Sequence, residues 1–321
     1  MIVSLTIAPY SVPLRLHGTD RQRRGWWLNI TTNDALKGVG DAAPWPGFGA
    51  DAAVVLAELE ALTRALPGAP VDETLATLAS HASSAEVRNA LETALLDLQA
   101  QRGGVPLSHL LAATPDRWVQ SHVLVSNPQE AAAAAAAGAQ AIKLKLMGPP
   151  PAAAQLARQV NAACPGLPLR LDANAGYDLA GALALIDAVA DLAPEWLEQP
   201  VPNLADFAAL RGRGVALAAD ESVAHHPLEV VAAAVDVLVI KPMFVGGARA
   251  AVTLASRARA MGKAVCVTHA LESHVGRLAA LHVAAAVGGV VHGVGDLDTG
   301  GAPMWLPTVP GLGQLSRRRV A

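Results

Sequence analysis

Acidic residues end three successive apolar segments in the second half of the chain: Asp172 in LRLDAN, Glu198 in WLEQP and Asp220 in AADES. A single acidic residue after a strand is often only the N-cap of the next helix. Three carboxylates that converge on one point, however, repel each other unless a cation lies between them. Hard oxygen ligands of this kind suit Mg²⁺. We therefore predict that these three residues bind one Mg²⁺ ion, or Mn²⁺ in its place.

Two further apolar segments carry lysines: AIKLKL contains Lys143 and Lys145, and DVLVIKP contains Lys241. Because side chains alternate along a strand, both lysines of AIKLKL face the same side. Burying them there without partners is costly, so we expect them to serve the same site as the carboxylates. A cluster of partly desolvated ammonium groups is expected to lower the pKa of each lysine and to leave one able to accept a proton. Together with a metal-bound substrate carboxylate, they predict α-proton abstraction through an enediolate.

The carboxylates and the lysines both lie in a region where strands and helices alternate regularly, which begins near residue 120. Ala-rich helical stretches separate the strands, and the first opens with Asn127, Pro128 and Glu130 in capping-box positions. Eight such strands predict an α/β fold, a (β/α)7β TIM-type barrel whose strand ends carry the chemistry. An open doubly wound sheet is disfavoured because no Gly-rich phosphate fingerprint follows the first strand. The predicted strands are SHVLVS, AIKLKL, LPLRLDAN, EWLEQP, VALAADES, DVLVIKP, KAVCVTH and GVVHGVG.

The first part of the chain lacks this regular alternation of strands and helices. SVPLRL, GWWLNITT and LKGVGDAA predict strands separated by polar turns, and AEVRNALETALLDLQA predicts a helix that ends at Gly103 and Gly104. We therefore predict an α+β domain over residues 1–115 and a barrel domain with the active site over 116–301. Residues 302–321 are expected to pack back on the first domain.

Composition limits the kinds of partner. The 321 residues are 52% hydrophobic and 16% charged, with a formal net charge of −3, which predicts a globular protein without a basic face for nucleic acid or acidic lipid. Cys164 and Cys266 are too few for a disulfide framework. The start, MIVSLTIAPY, lacks the basic residues of a signal peptide, and no apolar run is typical of a membrane span. We expect a cytoplasmic enzyme that binds a small-molecule carboxylate, with no nucleic-acid or membrane partner; the oligomeric state is not predictable from the sequence.

Five segments in this order, IKLKL, LRLDAN, WLEQP, AADES and VIKP, resemble the enolase superfamily in its muconate-lactonizing subgroup. The resemblance implies that Asp172, Glu198 and Asp220 hold the metal. It implies that Lys145 takes the α-proton and then acts as an acid, that Lys143 tunes it, and that Lys241 stabilises the opposite face or acts as a second acid/base. The N-terminal region is similar to the capping domain that closes over the barrel mouth in that superfamily.

Three other fragments resemble the o-succinylbenzoate synthase family: GVGDAAPWPGFGAD, in which Asp41 replaces the usual Glu, RQRRGWWL, and ALESHVGRLAALHVAAAV. RQRRGWWL is similar to an Arg-containing flexible loop and the strand that follows it, which cover the site. The resemblance implies dehydration of 2-succinyl-6-hydroxy-2,4-cyclohexadiene-1-carboxylate to o-succinylbenzoate in menaquinone synthesis. The expected substrate-binding residues are Arg23, Phe48, Asn174, Thr268, His269, Asp296 and Asp298.

The segment GDLDTGG keeps an alternative open, because dipeptide epimerases of this subgroup use a D-x-D there for the substrate's ammonium group. In this chain the pair is Asp296 and Asp298, which could also be capping residues before two glycines. N-succinylamino acid racemase is a third member with similar chemistry. A Schiff-base aldolase that uses Lys241 is a different class, and the carboxylate triad disfavours it because an imine mechanism does not need one.

Overall fold

The structure is a computed structural model that describes residues 1–16, 19–295 and 302–314. It begins with an antiparallel sheet of β1 (Ile2–Leu16), β2 (Thr19–Thr32) and β3 (Lys37–Ala42), with β2 in the centre. Four helices follow, α1 (Ala52–Ala65), α2 (Val71–Ala76), α3 (Ala85–Gly103) and α4 (Ser108–Leu111). The predicted strands and the predicted helix of this region are therefore confirmed.

Helix α3 packs directly on β3, and glycines make this approach possible. A Cβ atom added at Gly40 would lie 1.8 Å from the carbonyl oxygen of Ala90, so only glycine fits there. Val87, Leu91, Leu95 and Leu98 form an apolar stripe on α3 that is fully buried. The helix is followed by Gly104, whose φ of 67° is the left-handed conformation that ends many helices.

The second part is built from seven parallel strands in chain order, each hydrogen-bonded to the next. They are β5 (Val123–Val125), β6 (Ile142–Lys145), β7 (Leu169–Asp172), β8 (Trp196–Glu198), β9 (Leu217–Ala219), β10 (Val237–Ile240) and β11 (Ala264–Val267). His292 and Gly293 occupy the eighth position, because they form parallel bridges to Ser121 and Thr268 at the two edges of this sheet. The predicted TIM-type barrel is confirmed, with its last strand reduced to two bridges.

Helices surround the strands. They are α5 (Pro128–Ala136), α6 (Pro150–Ala163), α7 (Leu179–Val189), α8 (Phe207–Leu210), α9 (Glu221–His225), α10 (Leu228–Ala234), α11 (Pro242–Val245), α12 (Ala248–Ala260) and α13 (His274–Val287). Asn127 caps α5 as predicted: its side chain accepts from the amide of Glu130 at 2.9 Å. No helix among the described residues is long and apolar enough to cross a membrane.

The strand alternation separates two layers of side chains. Ile142 and Leu144 of β6 are fully buried in the large core between strands and helices. A second, small cluster consists of Trp196, Ala218, Val237, Val239 and Cys266 on four other strands. The lysines of β6 alternate with its core residues, so they point to the opposite face, into the barrel.

The C-terminal segment contacts both parts of the chain. Strand β12 (Met304–Trp305) pairs with β4 (Trp118–Val119), and the amide of Leu312 donates to Asp97 of α3 at 2.8 Å. His282 of α13 accepts from the amide of Ser108 at 3.1 Å through Nδ1, so its Nε2 donates to the carbonyl of Leu312 at 2.9 Å. Burial lowers the pKa of His282 to about 4, which keeps the ring neutral at pH 7. The domain boundaries at 115 and 301 stay a prediction.

Candidate active site

The carboxylates lie at one level because the parallel strands are in register. Lys145 is opposite Asp172, and Asp172 is opposite Glu198. Asp220 directly follows β9, and Lys241 directly follows β10. The C-terminal ends of adjacent parallel strands meet at one end of a barrel. All five residues therefore reach the same end of the barrel.

The lysines are paired with these carboxylates. The Lys143 ammonium lies 2.7 Å from Glu198 Oε1 and 2.9 Å from Asp172 Oδ2. Lys145 is less engaged, with its ammonium 3.9 Å from Asp172 Oδ2. Lys241 contacts both carboxylate oxygens of Asp220. Each carboxylate expected to hold the metal is thus in contact with a lysine.

The convergence of the three carboxylates on one metal ion stays a prediction. Among residues 1–16, 19–295 and 302–314, no group of three or more His, Cys, Asp or Glu side chains is arranged to hold a metal ion. The physical reason is that buried carboxylates need positive charge nearby. In this structure the ammonium groups of Lys143 and Lys241 supply it.

The lysine pKa expectation is wrong for Lys143. Burial lowers the pKa of this ammonium, but the negative charges of Asp172, Glu198 and Asp220 outweigh that effect and hold it above its ordinary value. The expectation assumed that the lysines lie close to one another, whereas Lys143 lies between carboxylates. In this structure Lys143 is therefore the ion-pair partner of two carboxylates.

The carboxylates of the site outnumber its lysines, so the site has an excess of negative charge. Burial and the charge of Asp172 raise the pKa of Glu198 to about 7, despite its ion pair with Lys143. Burial and the charge of Asp220 raise the pKa of Glu221 to about 7 as well. Glu221 Oε2 is buried without a hydrogen-bond partner among the described residues. Four carboxylates thus accompany three lysines, and a divalent cation with a preference for oxygen ligands fits this donor set.

A polar layer below the carboxylates was missed in the sequence. Trp196 Nε1 donates to Glu198 Oε2 at 3.4 Å, and the Arg170 guanidinium lies 4.1 Å from the centre of the Trp196 ring. Arg170 also donates to Glu195 at 2.7 Å and to the carbonyl of Val291 at 2.8 Å. The signal was available, because Arg170 and Trp196 each precede an active-site carboxylate by two residues and therefore face the same side of their strands.

An aromatic pair covers one side of the site. Lys241 Nζ lies 4.2 Å from the centre of the Phe48 ring, and Phe48 stacks on Phe244 with ring centres 4.7 Å apart. The loop that carries Phe48 is attached to the barrel by a hydrogen bond between His225 Nε2 and the carbonyl of Gly47, at 2.7 Å. Phe48 therefore contacts a residue of the site, and Phe244, three residues after Lys241, was not singled out from the sequence.

An open cleft of about 800 Å³ adjoins this aromatic pair. Three arginines on its wall, Arg88, Arg249 and Arg257, outnumber the one carboxylate there, Glu86. Positive charge around a cleft raises the local concentration of anions. One of the three arginines, Arg257, is paired with Glu229, and the lysines and carboxylates of the site do not line this cleft.

The other predicted substrate residues have different surroundings. Thr268 Oγ1 is buried without a hydrogen-bond partner among the described residues. His269 Nε2 lies 3.2 Å from the carbonyl of Gly295. Asn174 is exposed, and its backbone amide donates to Asp172 Oδ1 at 3.0 Å. Asp296 and Asp298 lie outside the described residues. The contact of these residues with substrate stays a prediction.

Arg23 is held by backbone carbonyls, and its contact with substrate stays a prediction. All of RQRRGWWL belongs to the long strand β2, so the strand begins earlier than expected, and Arg23 is buried. Its guanidinium donates to the carbonyls of Ala43 at 2.6 Å, Pro44 at 2.5 Å and Ala270 at 3.3 Å. Arg23 therefore fixes the start of the Phe48 loop against the segment after β11.

Asp41 joins the first sheet to the barrel. It is fully buried and accepts from the Tyr10 hydroxyl at 2.7 Å and from the Ser273 hydroxyl at 2.5 Å. Burial raises the pKa of Asp41, and these two hydrogen bonds oppose that rise. Ser273 also accepts from Trp27 Nε1 at 2.8 Å. The Asp that replaces the usual Glu in this loop is therefore a structural anchor between β3 and α13.

Two family descriptions match most of the chain. Residues 3–112 match the N-terminal domain of mandelate racemase / muconate lactonizing enzyme. Residues 127–313 match the family described as enolase C-terminal domain-like. These matches confirm the resemblance that the strand-end motifs indicate.

Relatives of known name or structure fall into two groups. An o-succinylbenzoate synthase from Mycobacterium tuberculosis is 41% identical over 170 residues, 51% of this chain and 51% of that protein, so the chain matches about half of its length. The crystal structure of a dipeptide epimerase from Enterococcus faecalis complexed with Mg and L-Leu-L-Tyr has a TM-score of 0.87 at 23% identity, over 98% of this chain and 99% of that one; this likeness shows the fold alone. A dipeptide epimerase from Methylococcus capsulatus complexed with Mg ion has a TM-score of 0.82 at 26% identity, over 98% and 99%.

Proposed function

Because the chain belongs to the enolase superfamily, we propose that it is a Mg²⁺-dependent lyase that dehydrates 2-succinyl-6-hydroxy-2,4-cyclohexadiene-1-carboxylate to o-succinylbenzoate. The observation that carries the proposal is the placement of lysines on opposite walls of one barrel end, with carboxylates on the strands between them. The similarity to a protein named o-succinylbenzoate synthase supports the choice of substrate. The product would serve menaquinone synthesis.

The lysines lie on opposite walls because of the strand order. Strands β6 and β10 are separated by β7, β8 and β9 on one side. On the other side they are separated by β5, the bridge segment at 292–293 and β11. Lys145 and Lys241 therefore face each other across the barrel end, and a flat substrate between them presents one face to each. This is the geometry that α-proton removal on one face and charge stabilisation on the other require.

Lys145 is better placed than Lys143 to act as the base. Its side chain is 25% exposed and has one long ion pair, whereas the side chain of Lys143 is 11% exposed and has two short ones. In the proposed reaction Lys145 takes the proton from the ring carbon that bears the carboxylate, which leaves an enediolate. The carbon–oxygen bond to the ring hydroxyl then breaks, a ring double bond forms, and Lys145 returns the proton to the departing hydroxide. Water leaves and the ring becomes aromatic.

Lys241 and Lys143 supply fixed positive charge. Lys241, held between Asp220 and the Phe48 ring, would lie against the enediolate on the face away from Lys145. Lys143 orients Asp172 and Glu198, because its ammonium contacts both. Preorganised charge of this kind acts where negative charge develops and needs no reorganisation during the reaction.

Asp172, Glu198 and Asp220 would hold the Mg²⁺ ion. When bound, the ion supplies positive charge that makes the substrate's α-proton more acidic. The structure of the Methylococcus capsulatus dipeptide epimerase with Mg ion supports this choice of metal, as does the excess of carboxylates over lysines. Mn²⁺ is proposed as a substitute because it takes similar oxygen ligands.

A dipeptide epimerase is the second candidate, and the spacing of Asp296 and Asp298 favours it. An epimerase needs a carboxylate for the dipeptide's ammonium group, whereas the cyclohexadiene acid carries only negative charge. The double variant Asp296→Asn/Asp298→Asn is therefore expected to keep most of its dehydration activity. An epimerase would lose the charge partner of its substrate, worth roughly 3–5 kcal/mol, or on the order of 10²–10⁴-fold in kcat/KM.

The measurement is the initial rate of o-succinylbenzoate formation by the wild type and the double variant. Asp187→Asn/Asp191→Asn, which changes two exposed aspartates of surface ion pairs, is the matched control. A loss of dehydration in the first variant but not in the control would count against the proposed substrate. Loss of α-proton exchange in a dipeptide would assign the epimerase instead.

A further inference from the structure

Gln199 follows Glu198 at the end of β8, and its side chain is fully buried. Its Oε1 accepts from the amides of Asp220 at 3.0 Å and Ser222 at 3.3 Å. Its Nε2 donates to the carbonyl of Val201 at 3.0 Å and to the Ser222 hydroxyl at 2.9 Å. The Gln199 side chain thus holds the backbone of Asp220 in place.

The backbone of Gln199 extends these connections to a third strand. The backbone amide of Gln199 donates to the carbonyl of Ala218 in β9 at 2.8 Å. The backbone carbonyl of Gln199 accepts from the amide of Ala175 at 2.7 Å. Ala175 follows Asn174, whose amide donates to Asp172 Oδ1. Gln199 therefore contacts the segments after β7 and β9 while it belongs to the segment after β8.

The conformation of Gln199 is unusual. Its φ is +39°, a left-handed backbone conformation that favours glycine, and Pro200 follows it. A non-glycine residue persists in such a conformation only when its surroundings determine it, and such residues cluster at functional sites. The side-chain bonds to Asp220, Ser222 and Val201 are what a glycine would lose.

We infer that Gln199 is a positioning residue that aligns the three carboxylate-bearing strand ends with one another. It touches neither the substrate nor the reacting atoms, and it acts by fixing the Asp220 backbone relative to Asp172 and Glu198. The part of this inference that concerns Mg²⁺ rests on the proposed function. Residues that orient metal ligands in this way change metal affinity by roughly 10–100-fold when they are replaced.

The test compares Gln199→Met, which keeps the shape of the side chain and removes its hydrogen bonds, with Gln199→Gly, which also relieves the backbone conformation. Mg²⁺ affinity is measured by isothermal titration calorimetry on the full chain. Val160→Ala, in the buried face of α6, is the control for lost stability. We expect both Gln199 variants to raise the Kd for Mg²⁺ by roughly 10-fold or more, and Val160→Ala to leave it unchanged although it lowers the melting temperature.

Amide hydrogen exchange, followed by mass spectrometry without metal, provides a second readout. In Gln199→Met we expect faster exchange at Asp220 and Ser222, with other barrel strands unchanged. The inference would be overturned if the Gln199 variants had the amide exchange and the Mg²⁺ Kd of the wild type. It would also be overturned if Val160→Ala raised the Kd as much as the Gln199 variants do. If the wild type binds no Mg²⁺, the proposed metal dependence fails, and the exchange experiment alone decides the role of Gln199.

Discussion

Replacing Lys145 or Lys241 by alanine is expected to lower kcat for dehydration by more than the roughly 10²–10⁴-fold that a lone acid or base contributes. Lys145 is the only proposed group that both takes the α-proton and protonates the departing hydroxide. Lys241 supplies the charge on the opposite face, and its loss also leaves Asp220 without its ion-pair partner. Single-turnover rates of o-succinylbenzoate formation measure the effect without interference from product release.

Substrate binding should be much less affected, because the carboxylates proposed to hold the metal remain in both variants. Lys37→Ala removes an exposed lysine of β3 and is the control for the loss of one positive charge. A Lys241→Ala variant with normal turnover would show that the paired-lysine arrangement is wrong. If KM rises while kcat is unchanged, Lys241 contributes to binding rather than to the chemical step.

Removal of the divalent cation is expected to abolish activity, and added Mg²⁺ should restore it. Asp220→Asn should raise the Kd for Mg²⁺ by at least ~100-fold, since residues that only orient the ligands already account for roughly 10–100-fold. Asp172→Asn and Glu198→Gln should act in the same direction. The measurements are Mg²⁺ titration by calorimetry and the recovery of dehydration after treatment with EDTA.

Asp187→Asn, at an exposed ion pair on α7, is the matched control for the loss of one carboxylate. It should bind Mg²⁺ and recover activity as the wild type does. Full activity after exhaustive chelation would end the metal assignment. Wild-type Mg²⁺ affinity in all three carboxylate variants would place the ion elsewhere in the molecule.

The sequence predicted the barrel and the level of the site residues because both depend on local patterns. Apolar alternation in AIKLKL determines which face Lys143 occupies, and an acidic residue directly after an apolar segment lies at the strand end. Parallel register then brings Asp172 and Glu198 side by side. None of these steps requires knowledge of distant contacts.

The partners of each side chain were harder to predict because they depend on distant segments. Lys143 was expected to lie close to another lysine, but it contacts Asp172 and Glu198, 29 and 55 positions later in the chain. Arg23 binds carbonyls from two separate segments, one of them 247 positions away. Gln199 was visible as part of WLEQP, but its contact with Asp220 follows only from the packing of adjacent strand ends.

The most direct test of the proposed activity is to incubate the purified chain with Mg²⁺ and 2-succinyl-6-hydroxy-2,4-cyclohexadiene-1-carboxylate. o-Succinylbenzoate is followed by liquid chromatography and mass spectrometry, with a parallel reaction on L-Ala-L-Glu in deuterated water. We predict that o-succinylbenzoate forms with the wild type and not with Lys145→Ala. The proposed dehydration activity would be contradicted if the wild type formed no o-succinylbenzoate while it incorporated deuterium at the α-carbon of the dipeptide.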